Sequence, residues 1–246
     1  MRLCGALLLA LLLAGCGGAS GAAGPRLTVL AASSLTDVLP RIDPEARYSF
    51  GGSDELAFQV EQGAPADVYL AASPTYPAEL HAKGLVERPR VFATNELVLV
   101  VPRANPAGIK SVRDLGRGSP RVVVAAQGVP AGDYARRALA KLGLERVVAT
   151  AVSQEPDVRS VLAKVALGEA DAGVVYRSDA AAAKGKVRAI ALPRAAEPSV
   201  EYELAVVSAS GRRDAAEAFV RRVLGPDGRR ELRRAGFGVP PRQGDR

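Results

Sequence analysis

Short apolar runs rich in β-branched residues alternate with helix-like apolar patterns through most of this chain of 246 residues. The apolar runs predict strands at 27–30, 47–50, 68–71, 97–101, 122–125, 147–152, 173–176, 187–191 and 204–207. The helix-like patterns predict helices at 35–42, 54–62, 75–83, 112–115, 132–142, 157–167, 178–183, 214–224 and 226–235. Such alternation is typical of an α/β fold in which helices connect mainly parallel strands.

The first sixteen residues predict an export signal. Met1 and Arg2 are followed by an apolar run at 3–13 and by the box Leu13-Ala-Gly-Cys16. This order resembles a bacterial lipoprotein signal, in which residues 1–15 are removed and Cys16 becomes the lipidated first residue. Residues 16–25 would then form the lipidated cysteine and a flexible tether. An ordinary secretory signal or an uncleaved anchor are the alternatives.

Cleavage after residue 15 would leave 246 − 15 = 231 residues, enough for one large domain or two lobes. Of the two cysteines, only Cys16 would remain, so no internal disulfide and no thiolate metal site are expected. The net charge of +7 would fall to +6 with the loss of Arg2. With 4% aromatic residues and no stacking motif, nucleic-acid binding is not expected.

Several predicted helices begin directly after a strand or a turn of small residues. Ser33 and Ser34 follow the first strand, and Ser34 with Asp37 has the spacing of a capping box. Ser53 follows two glycines and is predicted to cap the next helix. Free N–H groups at helix starts attract anions. Because no Lys or Arg lies between residues 27 and 40, a site here would hold an anion through neutral donors.

The order and wording of several segments resemble the periplasmic molybdate-binding protein family. The resemblance spans nearly all of residues 27–241 and includes these phrases: Ala31-Ala-Ser-Ser-Leu-Thr36, Gly63-Ala-Pro-Ala-Asp-Val68, Asn95-Glu-Leu-Val-Leu-Val-Val-Pro102, Val129-Pro-Ala-Gly-Asp-Tyr134 and Gly173-Val-Val-Tyr-Arg-Ser-Asp179. It implies a two-lobed periplasmic binding protein (type II) fold with a hinge and a ligand cleft between the lobes. Lobe one would comprise residues 26–94 and 204–246, and lobe two residues 95–203. The residue pattern alone also allows a single doubly wound domain.

The resemblance also implies a set of ligand-binding residues for a tetrahedral oxyanion. Carried over position by position, they are Ser34, Ser53, the N–H groups of Ala131 and Val158, and the Tyr176 hydroxyl. Ser33 is an alternative to Ser34, and Arg159 is interpreted as a surface or supporting residue. Two departures from the family wording bear on this set. Gln127-Gly128 changes the turn that aims the Ala131 N–H, and Gly51-Gly52 lacks an extra hydroxyl, so that Ser53 would act with backbone groups alone.

The predicted function is capture of molybdate, and also of tungstate, by an exported, membrane-tethered lipoprotein that delivers the anion to an ABC importer. The resemblance implies permease and ATPase partners and no enzymatic activity. We expect a monomer with no cofactor and no cation site. The alternatives are a receptor for another oxyanion, either tungstate alone or sulfate, and a lipid-anchored Ser hydrolase. The hydrolase would have to use His81, the only histidine.

Overall fold

The chain forms two five-stranded sheets in a computed structural model that describes residues 26–240. The first sheet has the order β2-β1-β3-β10-β4, formed by Arg47–Gly51, Thr28–Ala32, Val68–Ala71, Val200–Val206 and Arg90–Asn95. The second has the order β7-β6-β8-β5-β9, formed by Ser153–Glu155, Val122–Ala125, Ala172–Tyr176, Leu97–Pro102 and Val187–Ala191. The predicted signal peptide, Cys16 and the tether lie outside the described residues.

Helices cover the faces of both sheets. The α-helices α1 to α9 are Leu39–Ile42, Ser53–Glu61, Thr75–Ala82, Pro130–Ala140, Glu145–Ala149, Val158–Ala166, Arg177–Ala182, Arg213–Leu224 and Pro226–Arg234. Three short 3₁₀ helices occupy Ser33–Leu35, Val112–Gly116 and Arg194–Ala196. None of the helices within residues 26–240 combines the length and apolar character needed to cross a bilayer.

Helical periodicity explains which faces pack inward. In α6, the buried residues are Val158, Val161, Leu162 and Val165, at the i, i+3, i+4, i+7 spacing of one helix face. In α8, the buried residues Ala216, Phe219, Val220 and Val223 repeat that spacing. Hydrophobic burial on these faces supplies the main driving force for docking the helices onto the sheets.

The sheets combine parallel and antiparallel pairing. Strand β1 pairs in parallel with β2 and β3, whereas β10 runs antiparallel to β3 and β4. In the second sheet, β6 pairs in parallel with β7 and β8, and β5 runs antiparallel to β8 and β9. Parallel neighbours reflect helical crossovers, and the antiparallel strands β10 and β5 mark where the chain passes between the sheets.

The chain crosses between the sheets twice. Only Glu96 separates β4 in the first sheet from β5 in the second, and the chain returns from β9 to β10. We call the elements on the first sheet (β1–β4, β10, α1–α3, α8 and α9) the first lobe, and the remainder (β5–β9 and α4–α7) the second lobe. The predicted two-lobed α/β architecture is confirmed. The predicted limits, 26–94 plus 204–246 and 95–203, stay predictions.

Two strand assignments differ from the sequence-based expectation. The predicted strand at 147–152 is wrong, because Glu145–Ala149 forms the helix α5 and the strand β7 follows at Ser153–Glu155. A short β-branched run has too few residues for its period to separate strand from helix. The strand β4, Arg90–Asn95, was not predicted. Both β4 and β7 are edge strands, whose polar residues weaken the apolar signal.

The predicted helix at 35–42 is also divided. A 3₁₀ turn occupies Ser33–Leu35, and α1 begins only at Leu39. The N-cap residue of the 3₁₀ turn is Ala32, so the predicted capping box of Ser34 and Asp37 is wrong. Asp37 instead lies 2.6 Å from Arg159 in the second lobe.

Candidate functional site

A small cavity lies between the lobes, just beyond the carboxyl ends of β1, β2, β3 and β8. Its volume is about 10 Å³. Such a space suits a compact ligand of a few heavy atoms. Its walls include the starts of the 3₁₀ turn at Ser33 and of α2, α4 and α6. The five predicted site residues all line this one cavity: Ser34, Ser53, Ala131, Val158 and Tyr176.

Ser34 and Ser53 form the first-lobe wall, and both are buried. The Ser34 hydroxyl lies 2.9 Å from the Tyr202 hydroxyl. Ser53 is the first residue of α2 rather than its cap, because Gly52 is the N-cap residue, so the predicted Ser53 cap is wrong. The Ser53 Oγ instead accepts a hydrogen bond of 3.1 Å from the Ala72 N–H, which ties the start of α2 to the end of β3.

Ala131 and Val158 lie on the second-lobe wall at the starts of α4 and α6. Pro130 is in the first turn of α4, where its missing N–H costs no helical bond. Asp157 is the N-cap of α6 and accepts bonds from the N–H groups of Arg159 and Ser160. The N–H groups of the first helical turn have no partner within the helix, so those of Ala131 and Val158 are available to a ligand.

Tyr176 ends β8 and is 1% exposed. Its hydroxyl oxygen is fully buried and has no hydrogen-bond partner within the described part of the chain. A buried hydroxyl without a partner is costly, so the Tyr176 hydroxyl is a candidate donor to a ligand in the cavity. Burial raises the pKa of the Tyr176 hydroxyl well above its usual range, so the group stays protonated and can donate.

No cationic side chain lines the cavity. Neither Lys nor Arg is among its lining residues, and its single carboxylate belongs to Asp157. That carboxylate accepts three bonds from the first turn of α6: from the N–H groups of Arg159 and Ser160 and, at 2.9 Å, from Ser160 Oγ. The positive potential therefore comes from helix starts and N–H groups, as the sequence predicted for this wall. Across residues 26–240, no group of three His, Cys, Asp or Glu side chains is placed to hold a metal ion.

The remaining candidates have other positions. Ser33 lines the same cavity as Ser34, so the structure leaves both serines beside the ligand space. Arg159 lies outside the cavity, and its Nε donates to the buried Asp179 carboxylate at 2.6 Å. His81 is exposed on α3, and its Nδ1 lies 3.0 Å from the Val86 carbonyl oxygen rather than beside either serine.

The two departures from the family wording have structural explanations. An added Cβ at Gly52 would lie 2.7 Å from the Pro156 carbonyl oxygen of the opposite lobe, so the close approach requires glycine. Gly128 adopts a φ of +91°, a conformation that glycine favours. Its N–H donates to Asp133 at 3.1 Å, which anchors the turn before α4.

Sequence reasoning missed the residues that support the site from behind or from the opposite lobe. The Tyr76 hydroxyl of the first lobe donates to the Gly128 carbonyl of the second. Tyr202 contacts Ser34, and Asn95 contacts Tyr202. Tyr76 and Tyr202 lie in ordinary-looking segments without a local motif. Asn95 begins a phrase shared with the family, but that phrase does not indicate a contact with the site.

Comparison with known proteins places this arrangement in a family. The family model described as bacterial extracellular solute-binding protein matches residues 27–238. The molybdate-binding protein of Mycobacterium tuberculosis is 37% identical over 237 residues, covering 90% of each chain. The molybdate-binding protein of Escherichia coli is 34% identical over 232 residues, covering 87% of this chain and 89% of the relative.

Solved structures give the same fold. The periplasmic molybdate-binding protein of Azotobacter vinelandii matches with a TM-score of 0.78 and 22% identity, over 88% of this chain and 100% of that one. The sulfate-binding protein of Mycobacterium tuberculosis matches with a TM-score of 0.74 and 21% identity, over 88% of each chain. These two likenesses concern the fold alone, and they include proteins for different anions. The chain belongs to the bacterial extracellular solute-binding proteins, which are transport proteins and not enzymes, and within them to the molybdate-binding protein family.

Proposed function

We propose that this protein captures molybdate, and also tungstate, outside the cytoplasm and delivers it to an ABC importer. The observation that carries the proposal is one cavity that is lined by Ser34, Ser53, Ala131, Val158 and Tyr176 and by neither Lys nor Arg; we call it the neutral cavity because no cationic side chain lines it. These residues come from both lobes, so a ligand that contacts all of them favours the closed arrangement. The proposed ligand set is two serine hydroxyls, two backbone N–H groups and one tyrosine hydroxyl.

The chemistry of this set suits a doubly charged tetrahedral oxyanion. Each oxygen of a buried oxyanion needs a hydrogen-bond donor, since an unsatisfied buried charge is costly. Bonds from neutral donors to a charged acceptor are stronger than those between neutral partners. The Tyr176 hydroxyl, which has no partner among the described residues, fits an anion oxygen, whereas an apolar ligand would leave it unsatisfied.

The relatives support molybdate as the ligand, whereas the fold does not select among oxyanions. Proteins named as molybdate-binding share 34% to 37% of aligned residues with this chain. A sulfate-binding protein shares the fold nearly as closely as a molybdate-binding protein does, with TM-scores of 0.74 and 0.78. Identity of the anion therefore depends on cavity size and donors, and tungstate alone or sulfate are the alternative ligands.

Calorimetric titration of the purified protein with molybdate, tungstate, sulfate and phosphate tests the proposal. We expect heat with molybdate and tungstate, and much weaker or no binding of sulfate and phosphate. The variants Ser34→Ala and Ser53→Ala should each weaken molybdate binding by about 1–3 kcal/mol. Ser208→Ala, at an exposed serine outside the cavity, is the matched control. No heat with either molybdate or tungstate would refute the proposal, and unchanged affinity in both serine variants would refute the site.

The proposed cellular setting is a monomeric lipoprotein anchored through Cys16, with permease and ATPase subunits as partners. The basis is the Leu13-Ala-Gly-Cys16 box and the family membership. Labelling of cells with a tagged fatty acid tests the anchor. The label should be present in the wild type and in Cys4→Ser, and absent in Cys16→Ser. Incorporation that survives Cys16→Ser would contradict the anchor.

A further inference from the structure

Ser34 is connected to a buried polar pair that does not line the cavity. The Ser34 hydroxyl oxygen lies 2.9 Å from the Tyr202 hydroxyl oxygen, and the Asn95 amide nitrogen Nδ2 lies 3.4 Å from that same Tyr202 oxygen. Ser34, Tyr202 and Asn95 are 2%, 0% and 7% exposed. Water is therefore largely excluded, and these groups determine each other's hydrogen-bond roles.

The position of the Tyr202 hydroxyl is fixed by packing. Its ring makes edge contacts with the rings of Phe92, Tyr176 and Phe237, with centroid distances of 6.0, 5.7 and 5.4 Å. Tyr202 lies on β10 and Asn95 on β4, two strands that pair directly beside the crossings between the lobes. The pair thus belongs to the rigid strands of the first sheet rather than to a loop.

The direction of the hydrogen bonds follows from which groups can only donate. The Asn95 Oδ1 accepts the Glu96 N–H at 3.0 Å, so the Asn95 NH₂ group points away from Glu96. It donates to Ser178 Oγ at 2.9 Å and, with its second hydrogen, to the Tyr202 hydroxyl oxygen at 3.4 Å. Burial raises the pKa of the Tyr202 hydroxyl well above its usual range, so Tyr202 keeps its single proton. With an incoming bond from Asn95, Tyr202 directs that proton to Ser34 Oγ. The Ser34 proton must then point to another acceptor, and the cavity is where one can bind.

The second serine has the same arrangement with a different donor. The Ala72 N–H donates to Ser53 Oγ at 3.1 Å, and a backbone N–H cannot reverse that role. Ser53 therefore also has its own proton left for the cavity. Two serines in unrelated segments each receive one internal hydrogen bond, so both face the ligand as donors.

We propose that Tyr202, held by Asn95, is a positioning residue that makes the Ser34 hydroxyl a donor toward the cavity and so excludes protonated oxyanions. This inference rests on the proposed function, because it concerns the same oxyanion site. A fully deprotonated anion accepts from Ser34, Ser53, Tyr176 and both N–H groups. An anion that carries its own O–H, such as hydrogen phosphate, needs an acceptor. If Ser34 Oγ accepted from it, the Ser34 proton would have no partner, because Tyr202 already donates to Ser34 and cannot accept in return.

The test compares Tyr202→Phe with the wild type in calorimetric titrations with molybdate and with phosphate. Loss of the Tyr202 hydroxyl leaves Ser34 free to accept as well as donate. We expect molybdate binding to weaken roughly 3- to 10-fold, while phosphate binding weakens less or improves, so that the molybdate-to-phosphate ratio falls. Asn95→Ala keeps the Tyr202 hydroxyl but removes its incoming bond, together with the bonds that Asn95 makes to Ser178 Oγ and to the Glu96 N–H. It should lower the ratio in the same direction.

Two controls separate positioning from general destabilisation. Tyr48→Phe removes a hydroxyl that donates to the Leu39 and Asp43 carbonyl oxygens outside the cavity, and it should leave the anion ratio unchanged. In a Ser34→Ala background, Tyr202→Phe should have no further effect on the ratio, because its target is absent. Thermal melting of each variant confirms that it is folded.

The outcomes of this test are distinct from those for the proposed function. If the wild type binds molybdate and the ratio falls in Tyr202→Phe but not in the Ser34→Ala background, the inference is supported. An equal loss for both anions, or a ratio change that persists without the Ser34 hydroxyl, overturns it. If the wild type binds neither molybdate nor tungstate, the proposed function fails. The inference is then tested with the affinity ratio of a fully deprotonated oxyanion that does bind, such as sulfate, to phosphate.

Discussion

Two cavities lie side by side between the lobes, and Ser34 lines both of them. The smaller one is the neutral cavity of about 10 Å³ that holds the candidate oxyanion site. The larger one, of about 130 Å³, we call the charged cleft. The charged side chains lining it are Asp37, Arg41, Arg159, Lys184 and Arg234.

One ion pair of the charged cleft joins the two lobes. Arg159 of the second lobe donates from Nη1 to Asp37 of the first at 2.6 Å, and from Nη2 to the Ser34 carbonyl oxygen at 3.3 Å. Its Nε is held by Asp179, whose pKa burial raises to about 6 against the opposing effect of Arg159. In the proposed function, the donors that bind the anion line the neutral cavity, whereas the ion pair between the lobes lies in the charged cleft. A cation inside the neutral cavity would be buried and unpaired whenever the ligand was absent.

The largest predicted effect comes from adding a methyl group at Gly52, where the backbones of the two lobes lie close together. In Gly52→Ala, the new Cβ would lie 2.7 Å from the Pro156 carbonyl oxygen, a backbone atom that cannot move aside alone. Closure around the neutral cavity should be blocked, and molybdate affinity should fall about 100-fold, or ~3 kcal/mol. In the control Gly51→Ala, the nearest atoms lie at 3.6 Å, an ordinary contact. Equal affinities of the two variants in calorimetry would contradict this interpretation.

The second prediction separates ligand binding from stability at the neutral cavity. Tyr176→Phe removes a buried hydroxyl that has no partner within residues 26–240. Molybdate affinity should fall by about 1–3 kcal/mol, while the free energy of unfolding of the ligand-free protein should stay equal or rise by about 1 kcal/mol. Titration calorimetry and urea unfolding measure the two quantities. A loss of stability without a loss of affinity would show that this hydroxyl serves the fold instead.

A smaller effect is expected in the charged cleft. Asp37→Asn weakens the ion pair with Arg159, and because Asp37 has a side-chain exposure of 48% the loss should be below about 1 kcal/mol. The ion pair exists only while the lobes touch, so the change should appear as faster molybdate release in stopped-flow measurements. If Asp37→Asn weakened binding as strongly as Tyr176→Phe, the separation between the two cavities would be lost.

The smallest predicted effect concerns the rate of capture. Lys184 is an exposed residue that lines the charged cleft, and the charged cleft adjoins the neutral cavity at Ser34. Lys184→Glu should slow molybdate association a few-fold at low ionic strength, and the difference should fade as salt shortens the Debye length to about 8 Å. The matched control is Lys110→Glu, at an exposed lysine that lines neither cavity. An equal slowing in both variants would mean that net charge alone controls the rate.

Local sequence signals predicted much of the fold, whereas the candidate site residues came from the resemblance to a family. Strands such as β3, and helices such as α8, matched within a residue or two because their apolar periods are strong. The prediction failed at the edge strands β4 and β7 and at the start of the first helix. At those places the conformation depends on neighbours in the sheet or across the cleft, which a local pattern does not contain.

The sequence by itself determined that several helices begin at small, neutral residues. It also determined that the segment around the first of these starts, residues 27–40, contains neither Lys nor Arg. Those are local properties, set by the residue types at each helix start. Only the tertiary structure decided that these starts meet at one cavity, and that Arg159 faces Asp37 rather than the ligand space. It also decided the partner of Ser34, since Tyr202 is 168 residues away in the chain. The physical reason is that a hydroxyl takes its role as donor or acceptor from whichever group packing places beside it.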